Sequence, residues 1–176
     1  FDEDNWVEPS DPSKINIAVY HGSIAGVQTD IGWVMEHGDH DVSIFANHDY
    51  AMLGDIHKTN QCMNNAGSIR YPGSTIQQNF GETHNKGFLL WKIQSKENFT
   101  VKHIPLQNPK PFISVVLTPE GKVPKSMRVP DGARIRLVAE NKLSISAMRK
   151  AVDVAKKKYN PESVSFITRT AADSGI

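Results

Sequence analysis

The chain has 176 residues, of which 39% are hydrophobic and 22% charged, enough for one large or two small globular domains and without any apolar run near the ~20 residues that a membrane helix requires. Its one cysteine, Cys62, excludes an internal disulfide framework, suits a reducing compartment and reads as an inert, partly buried thiol. The formal net charge of +1 hides a split: residues 1–108 carry 7 Lys and Arg against 13 Asp and Glu, a net of −6, whereas 109–176 carry 13 against 6, a net of +7. An acidic part fused to a basic part suits a protein that uses cations and handles nucleic acid.

The opening "FDEDNWVEPSDPSK" is acidic and polar where a signal peptide would be basic and then apolar, and a chain that starts at Phe1 is expected to be an excised piece. Short runs rich in β-branched and aromatic residues follow, each bounded by Gly, Pro, Asn or Asp: "INIAVYHG" (15–22), "YAMLGD" (50–55), "SIRYPGS" (68–74), "GFLLWKIQ" (87–94) and "FTVKHIPL" (99–106). They predict consecutive strands. Between the first two lie "EHGDHD" (36–41), with His37, Asp39, His40 and Asp41, and "ANHDY" (46–50), with Asn47, His48 and Asp49. Neither has a strand feeding into a turn that would hold ligands rigidly, so both are expected to be solvated loops. His84 and His103 have no partner pattern and receive no role.

"QNPKP" then places Pro109 and Pro111 where the charge changes sign, which predicts a linker or an edge-strand entry. Beyond it "FISVVL", "ARIRLVAE", a helix and "SVSFITR" predict a small β-α-β module. In the helix Ile145, Met148, Val152, Ala155 and Tyr159 step by 3 and 4 and line one face; Ser144 or Ser146 caps its start and Asn160-Pro161 ends it. The opposite face carries Arg149, Lys150, Lys156, Lys157 and Lys158. The last three suit the negative end of the helix dipole, and their two readings are a solvated face and a phosphate-backbone contact.

Two of the strands run into groups that bind metals. "IAVYHG" ends on His21, and "YAMLGDIHK" enters a turn carrying Asp55 and His57, whose i, i+2 spacing allows both to project from one side. A carboxylate with two imidazoles suits Mn²⁺, Fe²⁺ or Zn²⁺ better than Ca²⁺. Three protein ligands fall short of a shared pair of metals, so further ligands are expected elsewhere. In "YPGST", Pro72-Gly73 makes a tight turn, and Ser74, Thr75 and neighbouring amides, with Arg70 nearby, are candidates for holding a phosphate; a plain hairpin turn is the other reading.

"IAVYHG", "DYAMLGDIHK", "IRYPGSTIQQNFGE" and "KGFLLWKI", in that order over about residues 15–108, resemble the SbcD-type nuclease family of the calcineurin-like metallophosphoesterases, especially its phage-encoded members. The resemblance implies an α/β fold: residues 1–108 as the C-terminal part of a metallophosphoesterase β-sandwich, and 109–176 as a small basic α+β capping and DNA-binding domain. It further implies a two-metal DNA nuclease that works in repair, recombination or replication with an SbcC-type ATPase, in a bacterial or phage-infected cytoplasm. Mn²⁺ is the expected ion, with Mg²⁺ or Fe²⁺ as alternatives. By the family's motifs His57 would hold the first metal, and His21 and Asp55 the second; many relatives carry histidine where this chain has Asp55. Three family motifs that normally precede the His21 strand, and that supply a bridging aspartate and the general acid, do not fit into the residues before it. No catalytic residue is therefore assigned within this chain. The general acid, and the part through which a homodimer would form, are expected upstream of Phe1, and this chain alone is expected to cleave poorly. The competing expectation is a non-catalytic DNA-gripping or ATPase-scaffolding module with vestigial metal residues.

Overall fold

In the computed structural model, which describes residues 6–169, the run that ends in His21 forms β1 (Ile17–His21) and "YAMLG" forms β2 (Tyr50–Gly54). β1 and β2 pair in parallel, with His21 opposite Gly54. Between them the chain makes a short bridge at Gln28 and Val34, then a 3-10 turn over Val42–Phe45 whose Ser43 amide is capped by the Asp41 carboxylate. After β2 come β3 (Gln61–Cys62) and β4 (Ile69–Tyr71). β4 joins β2 in parallel and β3 lies antiparallel on its outer edge, so the sheet order is β1-β2-β4-β3. The expected strand over 68–74 stops at Tyr71 because Pro72 has no amide to donate and Gly73 turns the backbone to φ +89°. β5 (Gly87–Ile93) and β6 (Phe99–Pro105) form a separate antiparallel hairpin.

Alternation along these strands sets two unlike faces. Ala18, Tyr20, Ala51, Leu53, Ile69 and Tyr71 turn inward and pack with Ile24, Val27 and Phe45 from the β1–β2 excursion. On the other face Val19 is 82% exposed and Ile17 is also open. Tyr50 is covered at the start of β2, where Trp91 and Phe99 of the hairpin meet its ring edge-on.

The chain divides into two compact units. The first comprises the described residues to Ile76 with Gly81–Gln107, and the second comprises Gln77–Phe80 with the described residues from Asn108 onward. In the second, β7 (Phe112–Val116), β8 (Arg134–Ala139) and β9 (Ser163–Thr168) are all parallel in the order β7-β8-β9. The helix α1 (Ile145–Tyr159) links β8 to β9. Of the two candidate caps, Ser144 is the one used: its hydroxyl accepts from the Ala147 amide at 3.2 Å. Asn160 closes the helix in the left-handed conformation and donates its amide to Lys156.

One part of the helix reading needs correction. Ile145 is 66% exposed, and the packed face runs through Ala151, Val152, Ala155 and Tyr159, with both alanines buried. Ile145 occupies the first turn, while the alanines have side chains short enough to let the helix lie close to β9. The fold is thus a mixed α/β or α+β arrangement, with parallel strands dominant and one α-helix among the described residues.

Candidate metal centre

The carboxyl ends of β1, β2 and β4 lie side by side, which is where parallel sheets hold their ligands. His21 closes β1, and its Nε2 lies 3.6 Å from Asp55 Oδ1, with the two side chains 80% and 50% exposed. The approach depends on Gly54, since a Cβ there would stand 2.8 Å from His21 Nδ1. Asp55 itself sits at φ +93°, a conformation that non-glycine residues rarely adopt and that recurs where function requires it. The strained turn aims the carboxylate back across the end of β1 instead of continuing along β2.

His57 follows two residues later, and its Nδ1 lies 2.9 Å from Glu82 Oε1. Behind it is a buried ionic group. Lys86, 1% exposed, pairs with Asp30 and lies 3.3 Å from Glu82 Oε2, and its ammonium also donates to the His57 carbonyl at 2.6 Å. The "YPGST" turn packs on the same backbone: a Cβ on Gly73 would meet the His57 carbonyl and Thr59 Cα at 2.8 Å, and the Ser74 amide donates to the His57 carbonyl at 3.2 Å. Tyr71 holds the neighbouring loop, donating its hydroxyl to the Gly22 carbonyl at 2.7 Å while accepting from the Ile24 amide at 3.0 Å. Burial pushes the Tyr71 phenol far above its usual range, so it stays a neutral donor.

The structure therefore brings His21 and Asp55 into contact and places His57 on the same turn, with its ring held by Glu82. Among the described residues no group of three or more His, Cys, Asp or Glu closes around a single point. The donors present fit a contribution to a metal site, since a carboxylate-backed imidazole and a histidine–aspartate pair are typical ligand types, and they leave room for ligands from elsewhere.

The phosphate candidates fare unequally. Thr75 is exposed. Ser74 turns inward, its hydroxyl 3.4 Å from Glu82 Oε2. The Arg70 guanidinium is held by the Gly67 carbonyl and Asn60 Oδ1, at 2.8 and 3.0 Å, and lines an open cavity of about 460 Å³ with His21, Gly54 and Pro72. In the second unit Lys156 and Lys157 are exposed, whereas Lys158 donates to the Pro124 and Lys125 carbonyls at 2.6 and 2.9 Å.

The loops expected to be merely solvated are pinned. Asp39 accepts from the amide and hydroxyl of Ser23, and those bonds lower its pKa. Asp49 accepts from the Asn16 amide and pairs with Lys96, and the His48 ring meets Trp6 edge-on. Their carboxylates tie the β1–β2 excursion to Ser23, Asn16 and Lys96. Cys62 is exposed instead of partly buried, on the edge strand β3. Sequence reading missed Asp30, Glu82, Lys86 and the bracing role of Tyr71.

No family model matches the chain. It is similar to the uncharacterized protein R555 of Acanthamoeba polyphaga mimivirus, 31% identical over 158 residues that make up 89% of this chain and 11% of that protein. The chain thus spans about a ninth of that relative's length.

Proposed function

We propose that this chain is part of a divalent-metal-dependent DNA nuclease of the SbcD type. The observation that carries the reading is the contact at one sheet edge of His21 with a conformationally strained Asp55, beside a carboxylate-backed His57 on the same turn, three residues at the positions that the family's motifs would use. The exposed apolar face of β1, with Val19 open, supports the finer architecture, because a second sheet packed there would make a β-sandwich.

A pair of divalent ions, Mn²⁺ foremost with Mg²⁺ or Fe²⁺ as alternatives, would supply the charge that stabilises the attacking and leaving oxygens of a phosphodiester. His57 would hold one ion, and His21 and Asp55 the other. Arg70, held by its two partners, offers fixed positive charge beside the cavity, and Thr75 an exposed hydroxyl for a phosphate oxygen. The basic second unit, through Lys156 and Lys157, would follow the DNA backbone, while a longer parent chain would supply the remaining ligands, the general acid and the contacts to an SbcC-type ATPase and to a second copy. Such a protein acts in the cytoplasm; among the described residues no helix is long and apolar enough to cross a membrane.

One observation favours the second reading, a non-catalytic DNA-binding or ATPase-scaffolding module: among the described residues no three ligands close around one point. The test is Mn²⁺-dependent cleavage of linear duplex DNA by the longer parent chain, with a chelator control. His57→Ala or His21→Ala should abolish cleavage, Asp55→His should retain it and His48→Ala should leave it unchanged. Loss with His48→Ala but not with His57→Ala would reject the strand-end cluster, and a parent without chelator-sensitive cleavage would leave the non-catalytic module.

A further inference from the structure

Glu82 is 4% exposed, and its two oxygens face different partners. Oε1 meets His57 Nδ1 at 2.9 Å, while Oε2 faces Lys86 Nζ at 3.3 Å and Ser74 Oγ at 3.4 Å. Lys86 is itself enclosed, pairs with Asp30 and donates to the His57 carbonyl. Three charged side chains are thus withdrawn from water behind one half-exposed imidazole, holding its ring from one side and its backbone from another. Such burial is expensive, and an apolar filling of similar volume would often be at least as stable, so stability alone gives the arrangement little reason to exist.

Its chemical effect is specific. An ionised carboxylate only accepts hydrogen bonds, so the proton of a neutral His57 resides on Nδ1, and Nε2 is left with a free lone pair. That is the tautomer in which an imidazole binds a metal through Nε2. We infer that Glu82, seated by Lys86 and Asp30, is a positioning residue that fixes the tautomer and ring orientation of His57 for a divalent cation. The inference rests on the metal-centre reading above. Asp30 stands in the Thr29–Trp33 turn, which closes on itself through the Thr29 and Gly32 amides, so the same ionic group ties that turn to the strand-end loop.

The experiment uses the ¹⁵N-labelled chain, long-range ¹H–¹⁵N spectra of its imidazoles, and MnCl₂ as the probe, with Glu82→Gln, His57→Ala and, as a control on an exposed carboxylate, Glu97→Gln. The unsubstituted chain should show His57 protonated at Nδ1 and unprotonated at Nε2 before any metal is added, and Mn²⁺ should broaden the His21 and His57 signals. Glu82→Gln keeps the shape but not the charge; it should lose the fixed tautomer and raise the Mn²⁺ concentration for half-broadening of His57 by about ten- to a hundred-fold, with Glu97→Gln unchanged. An Nε2-protonated His57 in the unsubstituted chain overturns the inference at once, whether or not Glu82→Gln folds. Unchanged tautomer and midpoint in Glu82→Gln, alongside persisting His21 broadening in His57→Ala, overturns it while leaving the metal centre standing. Absence of broadening in the unsubstituted chain overturns both.

Discussion

Both units are built on three parallel strands over an apolar core, yet the first also encloses groups of another kind behind its loops. Under β7, β8 and β9 the interior is hydrocarbon, with Val115, Ile135, Leu137 and Ala155 fully buried and an evenly capped helix laid over them. Beneath the loops that leave β2 and β4 it is ionic, with Asp30, Glu82 and Lys86 enclosed together and a half-exposed histidine in front. The first arrangement follows the common rules of helix capping and apolar burial. The second breaks several of them: a carboxylate at positive φ, charges out of water and an open apolar strand face. Departures of this kind gather where a chain has a ligand to hold, and they are supported by ordinary packing elsewhere.

Removing one member from each interior sharpens the contrast. Lys86→Met fills the same space without charge and leaves Asp30 and Glu82 buried without their cation, so a loss of about 3–5 kcal/mol is expected from denaturant unfolding. Leu137→Ala, in the hydrocarbon interior, should cost about 2–5 kcal/mol through reduced burial and a residual cavity. The pair separates on a second substitution: Glu82→Gln, which removes one of the stranded carboxylates, should partly relieve Lys86→Met but not Leu137→Ala. If both variants respond to Glu82→Gln alike, the ionic interior is not what distinguishes the first unit.

Strain gives a smaller effect of opposite sign. Asp55→Gly relaxes the φ +93° position and should stabilise the first unit by about 1 kcal/mol while weakening Mn²⁺ binding, the trade expected of a residue kept for its ligand and not for its fit. A stability loss on thermal melting would show that the turn is not strained and would remove one leg of the comparison.

How far this contrast is readable in the sequence follows from the same physics. β1, β2, β4 to β9 and α1 are visible because each is a local pattern, a β-branched run or a 3.6-residue period ended by turn residues. β3, with two residues, carries no pattern, and its pairing is decided by β4. Reading large apolar side chains as the buried stripe favours Ile145 and passes over Ala151, because alanine is bland in sequence and decisive where a helix lies close to a sheet. His21, Asp55 and His57 stand out as strand-end groups. Asp30 and Glu82 do not, since they meet Lys86 and His57 across 56 and 25 residues of chain and no local signal marks them.

The smallest expected effect concerns the basic face of the second unit. Replacing Lys156, Lys157 and Lys158 together by Gln should change stability by roughly 0.5 kcal/mol or less if the face is simply solvated. Should the lysines meet phosphates, the log-log salt slope of duplex binding falls by about 0.9 for each phosphate left without its cation. Because Lys158 is spent on two carbonyls, most of any change in slope should be reproduced by Lys156→Gln with Lys157→Gln alone. A slope carried instead by Lys158 would mean that its internal bonds give way on DNA.

The single α-helix among the described residues also sets an order of assembly. β8, α1 and β9 follow one another in sequence, so their packing closes through a segment that forms its own hydrogen bonds as it winds. β1 reaches β2 only after residues 22–49 have been arranged by turns and a short 3-10 segment, and that chain entropy is lost before the parallel ladder offsets it. The second unit is therefore expected to consolidate early and the β1–β2 register late. His21 and Asp55 become neighbours only through that register, which makes the chemical edge of the sheet the last part of the molecule to exist and the first to vanish when the ladder opens.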